Sequence, residues 1–266
     1  MKRQDTTRLA LAAVPAALAG ATAVAAEVDA AAVDKAFETL KTYDWGADRN
    51  LLNPIDDAVI ATRGDAAARK GLETRLIAVL KSDASRSAKD FVFRTLRTAG
   101  TAESVPALAA SLPDKDLSHM ARYALERISA PEAAAALRDA LPKVGGALKV
   151  GVIGSLGVRR DTACVSALAG LLGDSDAAIA KAAANSLGVI GSPDAGKALS
   201  GFAKKAPDGM KPAVADASLA CAERLLADGK KAEAIVLYKS LSGENQPKHV
   251  RLAAKRGLLA AAGKKD

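Results

Sequence analysis

The strongest constraint on the fold is a pattern that recurs about every 30 residues. An apolar residue, which we call the landmark, is followed by a break four positions later and by a Leu twelve positions later. In four copies the landmark is Leu96, Leu125, Leu156 or Leu187, at successive spacings of 29, 31 and 31 residues. Internal repeats of this length are typical of chains whose units stack only on their neighbours.

Weaker copies flank these four. Ile60 and Leu225 are the landmarks of two such copies, each with a Gly at the break, and a half-copy ends at Gly263. The pattern therefore predicts a repeat domain over residues 51–263, an N-terminal capping segment over 27–50 and a tail over 264–266. Tyr43 and Trp45 are expected to close the N-terminal end, and the C-terminus is either a natural cap or an interface.

Each unit has the periodicity of two helices. In the second strong copy, Met120, Ala121, Ala124 and Leu125 form one apolar stripe at helical spacing. Gly, Ser or Pro then ends the helix, and a second helix follows. The apolar residues are mostly Ala, Leu and Val, which favours closely packed helices. Because one helix pair cannot bury its stripe alone, the sequence predicts an all-α solenoid of stacked antiparallel helix pairs, with about six repeats.

These units resemble HEAT repeats, particularly the short type also seen in phycobilisome-lyase proteins. The segments AKAAANSLGVIG (180–191) and VRLAAKRGLL (250–259) carry the resemblance, which covers residues 50–263. It implies a right-handed solenoid whose landmark helices line the concave side. The usual inner-helix Arg is present as Arg251 but absent at Ile179 and Ala180.

Other segments refine the resemblance. Residues 43–46 and 117–126 are similar to exported HEAT-repeat proteins of environmental bacteria such as planctomycetes. Residues 230–241 depart from the pattern and are more similar to a tetratricopeptide hairpin. The resemblance is specific for the fold and implies no particular activity.

The stretch GVIGSPDAGKALS has most of a phosphate-binding P-loop, with Gly191, Gly196 and Lys197 at the required spacing. However, Ala198 replaces the hydroxyl residue that would bind magnesium, and a helical stripe precedes the motif instead of a buried strand. We therefore interpret Gly191 as a helix stop and place Lys197 on the next helix, without nucleotide binding.

Two further local predictions concern helix packing and capping. Gly151, Gly154 and Gly157 are expected to let a landmark helix approach its neighbours closely. Asp116 and Asp176 are predicted N-caps, since their side chains can accept hydrogen bonds from free backbone N–H groups.

The sequence offers little for catalysis. The only two histidines, His119 and His249, lie far apart, and neither H-x-x-x-H nor C-x-x-C occurs. A Ser–His–Asp site assembled in space is not excluded by sequence, but there is no G-x-S-x-G motif. Asp56 and Asp57 form a carboxylate pair for which a solvated or capping role is favoured. We expect no enzymatic activity, no cofactor and no metal.

The N-terminus predicts export. Residues 1–26 combine a basic start, an apolar run and a small-residue cleavage site, which is typical of a signal peptide. The alternative is a retained membrane anchor, but Pro15 interrupts the run. We expect a periplasmic or secreted protein with no membrane span after cleavage. Cys164 and Cys221 could then oxidise, although their apolar neighbours favour buried free thiols.

The favoured function is a non-enzymatic scaffold that binds a protein partner through the concave face of the solenoid. An accessory or regulatory subunit of a separate envelope enzyme is the alternative, and a lyase-like protein is a third interpretation. Aromatic residues make up 3% of the chain, which disfavours stacking on nucleic-acid bases.

Positions −6, −3, −2 and +1 relative to the landmark are left outside the apolar stripe. We predict that they form a binding patch across adjacent repeats, because exposed aromatics beside arginines are typical binding anchors. In the alternative, Phe93 and Ile153 pack between repeats and the arginines are solvated. The predicted patch consists of Phe93, Arg94, Arg97, His119, Arg122, Tyr123 and Glu126.

Overall fold

A computed structural model describes residues 29–263, and the predicted signal peptide therefore lies outside the described residues. Within this range every regular element is helical, and a few short 3-10 turns accompany fourteen α-helices. The helices are α1 (Ala30–Thr42), α2 (Asn53–Ala61), α3 (Ala66–Leu80), α4 (Arg86–Ala99), α5 (Val105–Ala110), α6 (Ser118–Leu125), α7 (Pro131–Ala140), α8 (Gly146–Val158), α9 (Val165–Gly170), α10 (Ala177–Ile190), α11 (Pro193–Ala203), α12 (Lys211–Ala227), α13 (Lys231–Leu241) and α14 (Lys248–Ala261).

The helices form two layers. The landmark helices α2, α4, α6, α8, α10, α12 and α14 pack against one another in chain order, and α3, α5, α7, α9, α11 and α13 form a second layer beside them. Each helix also packs against a helix of the other layer that is near it in sequence. The molecule is an α-solenoid, as the repeat predicted, and its core is one continuous apolar cluster between the layers.

The burial of the landmark residues confirms the predicted register. Leu96, Leu125, Leu156 and Leu187 are completely buried. The Leu twelve positions after each of them is also completely buried. Ile60 is the exception, because 57% of its surface is exposed and the preceding residue, Val59, is buried instead. In the first weak copy the landmark position is therefore shifted by one residue, whereas Leu72, twelve positions after Ile60, is buried as predicted.

The breaks between helices follow the predicted chemistry. Gly64, Gly191 and Gly229 all have positive φ angles, a region that residues with a Cβ rarely adopt. Asp176 caps α10, its Oδ1 accepting a hydrogen bond from the Ala178 N–H at 2.8 Å. Asp116 is not the cap of α6.

The turn before α6 is held by a different aspartate. Asp114 Oδ1 accepts from the N–H groups of Asp116 and Leu117, at 2.8 and 3.1 Å. Asp116 instead lies 3.7 Å from a guanidinium nitrogen of Arg86. The prediction of an Asp116 cap is wrong because α6 begins later than its apolar pattern, at Ser118.

Helix α1 covers the N-terminal end of the solenoid, and of the predicted aromatic pair only Tyr43 packs against the core. Phe37 and Leu40 of α1 are buried. Arg75 of α3 stacks 3.9 Å from the centre of the Phe37 ring and pairs with Asp34 at 2.9 Å. Trp45 is 94% exposed and closes nothing, since it lies on the turn after α1.

Both cysteines are buried free thiols, and no disulfide joins them. Burial raises the pKa of Cys164 to about 12 and that of Cys221 to about 11. Among the helices of residues 29–263, none combines the length and the hydropathy that a membrane span requires.

Candidate protein-binding surface

Five landmark helices, α4, α6, α8, α10 and α12, share one solvent-facing surface, which we call the open face. It is made by positions −6, −2 and +2 relative to each landmark, and none of these residues is buried. Four-residue steps keep the three positions on one side of each helix. The rows are Asp90, His119, Val150, Lys181 and Leu219 at −6; Arg94, Tyr123, Gly154, Asn185 and Glu223 at −2; and Thr98, Arg127, Val158, Val189 and Ala227 at +2.

The centre of the open face is apolar. Val158 and Val189 are 59% and 44% exposed, and they occupy the same position on the neighbouring helices α8 and α10. Val150 lies eight residues before Val158 on α8 and is partly buried, and a Cβ added at Gly154, midway between them, would meet nothing within 4 Å. The centre is therefore both apolar and unobstructed, which is typical of an interaction surface.

The structure corrects the predicted patch at positions −3 and +1. Phe93 is completely buried and is therefore no surface anchor. Ile153, at the same repeat position, is also completely buried. A helix turns about 100° per residue, so position −3 lies only about 60° from the landmark, on the side that faces the adjacent repeat. The alternative interpretation, packing between repeats, is correct for these two residues.

The remaining patch residues have different environments. Arg94 and His119 are exposed on the open face. The guanidinium carbon of Arg97 lies 4.5 Å from the centre of the Tyr123 ring, a cation–π contact between α4 and α6. Arg97 and Tyr123 are both partly buried, so this pair joins two repeats as well as bordering the open face.

Arg122 and Glu126 form a polar bridge between α6 and α8. Arg122 Nη1 donates to the Gly151 carbonyl oxygen at 3.1 Å, and the Ser155 hydroxyl donates to Glu126 Oε1 at 2.7 Å. Burial lowers the pKa of the Arg122 guanidinium, and the nearby Glu126 carboxylate opposes that shift. Ser155 also lies 3.4 Å from Arg122, which completes the bridge. The Arg122 guanidinium and the Glu126 carboxylate are thus both hydrogen-bonded to α8 within the solenoid.

Small residues replace this bridge further along the solenoid. A Cβ at Gly157 would lie 2.7 Å from the Ser186 hydroxyl oxygen. A Cβ at Gly188 would lie 2.7 Å from the Ala217 carbonyl oxygen. The prediction of close packing is confirmed for Gly157. It also holds for Gly151, where a Cβ would meet the Arg122 guanidinium, and it is wrong for Gly154.

The segment with P-loop spacing is a helix–break–helix unit. Helix α10 ends at Ile190, Gly191 adopts φ 60°, and Gly196 and Lys197 lie inside α11. Lys197 is exposed and pairs with Asp194 at 3.2 Å. The backbone N–H groups of this part of α11 are occupied by the helix, so the segment has no phosphate cradle. Within residues 29–263, no cluster of His, Cys, Asp and Glu has the arrangement of a metal site.

A groove opens at the N-terminal end of the open face, between α2, α4 and the turn after α1. Its volume is about 640 Å³. The Ser85 hydroxyl donates to the Tyr43 carbonyl oxygen at 2.5 Å, and the Ser87 hydroxyl to Asp44 Oδ1 at 3.1 Å. These bonds fix the turn onto the start of α4. We call this cavity the N-terminal groove; its lining includes Trp45, Arg49, Ile60, Arg63, Asp90 and Arg94.

A comparison with known protein families agrees with the helical layers. Residues 146–220 match the family model described as HEAT repeats. Over this range the chain is similar to HEAT repeats. The matched range spans α8 to α11 and part of α12, where the landmark helices approach most closely through Gly157 and Gly188.

One solved structure is similar along most of the chain. It is the crystal structure of an engineered protein from the Northeast Structural Genomics Consortium, with 19% sequence identity and a TM-score of 0.41. The similarity covers 88% of this chain and 69% of that chain. No curated protein matches the sequence.

Sequence reasoning missed the +2 row of the open face. Val158 and Val189 were not among the predicted site residues, although both are exposed apolar side chains at one repeat position. The sequence held a signal for this row, because +2 continues the four-residue steps of −6 and −2, and in the structure no residue at +2 of the five repeats is buried. The predicted patch used positions −6, −3, −2 and +1, of which −3 and +1 face the neighbouring repeats.

Proposed function

We propose that this protein is a non-enzymatic scaffold that binds a protein partner along the open face. One observation carries the proposal, namely the apolar centre formed by Val158 and Val189 on adjacent HEAT repeats. Contiguous exposed apolar residues are expensive in water and mark interaction surfaces. Solenoids present one helix of each pair as an extended binding surface, which the HEAT resemblance places on the concave side.

The charges around this centre favour a specific partner over unspecific hydrophobic association. On the open face, Arg127 occupies the same repeat position as the two valines, and Lys181 lies eight residues before Val189 on α10. Charged groups at the rim of an interface select partners and accelerate encounter more than they add affinity. We propose that the scaffold acts in an exported compartment, in keeping with the signal-peptide pattern of residues 1–26.

Site-specific cross-linking tests the proposal. Because Cys164 and Cys221 are buried with raised thiol pKa values, a new surface cysteine is the thiol that a maleimide benzophenone will label. The variant is Val158→Cys, and the matched control is Ser166→Cys, which is exposed on α9 of the other layer.

Both labelled proteins are irradiated in native envelope extract. We expect the Val158→Cys protein to give a discrete cross-linked species that the Ser166→Cys protein does not give. Equal cross-linking from both positions, or none from either, would refute binding along the open face.

A further inference from the structure

The N-terminal groove joins exposed apolar and positively charged side chains. Trp45 is 94% exposed and Ile60 57% exposed, although both line the groove. An exposed Trp is uncommon on a surface that meets only water, and Trp is the residue most enriched at the centres of interfaces. These two side chains offer an apolar anchor site.

The groove also carries unpaired positive charge. Arg49 is already engaged, since it pairs with Asp56 at 2.6 Å and lies 4.6 Å from the centre of the Phe91 ring. Arg63 and Arg94 line the groove, and neither forms an ion pair with any residue of the described range 29–263. Both guanidinium groups are therefore available to a ligand.

The remaining charge of the lining does not cancel these arginines. Three arginines and two aspartates, Asp56 and Asp90, line the groove, which leaves one net positive charge. Asp90 Oδ1 is buried from solvent and accepts no hydrogen bond within residues 29–263. Because this atom has no accessible surface, the polar groups that the groove offers to a ligand are the unpaired guanidinium groups of Arg63 and Arg94.

From these contacts we infer that the N-terminal groove binds an acidic peptide segment of a partner, with a carboxylate against Arg63 and Arg94 and an apolar side chain against Trp45 and Ile60. Guanidinium groups bind carboxylates with paired, charge-assisted hydrogen bonds. This inference rests on the proposed scaffold function and adds the chemistry of the bound segment.

The test uses Trp45, the only tryptophan of the chain, as an internal probe in the full-length protein. The ligand is a capped octapeptide of alternating Asp and Leu. Two capped control octapeptides replace Asp by Lys or Leu by Ser. We expect the Asp-Leu peptide alone to shift Trp45 emission to shorter wavelength and to protect it from acrylamide quenching.

Two arginine variants and a matched control test the assigned contacts. Arg63→Ala and Arg94→Ala should each weaken peptide binding about 10-fold, because each removes a hydrogen bond to a charged group. Arg86→Ala removes the same charge from a position outside the groove lining and should leave the affinity unchanged. Added salt should weaken binding by screening. Circular dichroism confirms that each variant keeps its helices.

Several results would overturn the inference. These are an unchanged Trp45 emission with the Asp-Leu peptide, equal binding of either control peptide, or equal losses in Arg86→Ala and Arg94→Ala. A blue-shifted, concentration-dependent emission without peptide would instead assign the groove to a second copy of the chain. If cross-linking from Val158→Cys succeeds while the peptide fails, the groove assignment alone is wrong, whereas failure of both also removes the scaffold function.

Discussion

The same substitution, Gly to Ala, should have opposite effects at Gly154 and Gly188. Gly154 lies within the landmark helix α8, and Gly188 lies in the last turn of the landmark helix α10. Replacing a helical Gly by Ala stabilises a helix by about 0.5–1 kcal/mol, because Gly loses more backbone entropy on folding. At Gly154 nothing lies within 4 Å of the added Cβ, so the full gain should appear.

At Gly188 the added Cβ meets backbone. It would lie 2.7 Å from the Ala217 carbonyl oxygen and 3.1 Å from the Ala217 Cα, neither of which can rotate away. Overpacking of this kind costs about 1–3 kcal/mol. Because the overpacking cost exceeds the gain in helix stability, Gly188→Ala should lower the free energy of unfolding by about 1 kcal/mol.

Thermal unfolding followed by circular dichroism measures both effects. For a chain of this size, 1 kcal/mol corresponds to a Tm change of about 2–4 °C. We expect Gly154→Ala to raise Tm by about 1–4 °C and Gly188→Ala to lower it by about 2–4 °C. A higher Tm in Gly188→Ala would refute the close approach of α10 and α12, and a lower Tm in Gly154→Ala would refute the open space above α8.

Three further predictions follow from burial and helix geometry. Leu125→Ala and Leu187→Ala should each lower the free energy of unfolding by about 2–5 kcal/mol, as measured by urea unfolding. Unchanged unfolding midpoints would show that the landmarks are not in the core. Cys164 and Cys221 should stay unreactive towards a thiol reagent at neutral pH and up to about pH 9, where an ordinary thiol is largely ionised. Their raised pKa values keep them protonated, and rapid labelling without denaturant would contradict this. ATP should show no saturable binding by calorimetry. Saturable binding that is lost in Lys197→Ala would instead support the P-loop interpretation.

The repeat predicted the fold because its signal is redundant. Leu96, Leu125, Leu156 and Leu187 are buried for the same reason in each unit, so an error in one copy does not disturb the others. At Ile60 that redundancy is lost, and the register slipped by one residue. An apolar pair such as Val59 and Ile60 does not reveal which member faces the core, and only the packing of α2 decides it.

The candidate site was harder to predict because a landmark helix in a solenoid is covered on three sides. One or two helices of the other layer and two neighbouring landmark helices contact it, so its buried arc is wider than the apolar stripe of an isolated helix pair. Phe93 fell inside that wider arc, whereas Val158 and Val189 remained outside it. The expectation that an aromatic side chain beside arginines is an exposed anchor therefore selected the buried Phe93 and omitted the two exposed valines.

Position +1 shows how the spacing between repeats is set. In α4 this position is Arg97, which makes the cation–π contact with Tyr123. At the end of α6 it is Glu126, which accepts the hydrogen bond from the Ser155 hydroxyl. In α8 and α10 the same position is Gly157 or Gly188, and the neighbouring helix approaches to within a distance that excludes a Cβ. Long polar side chains thus fill the gap between landmark helices in the N-terminal half, and backbone contact closes it in the C-terminal half. The apolar centre of the open face lies on α8 and α10, where the tightly packed glycines begin. The close contacts of these two helices leave little room for them to repack. A partner binding there would meet a preformed surface and would lose little affinity to ordering it.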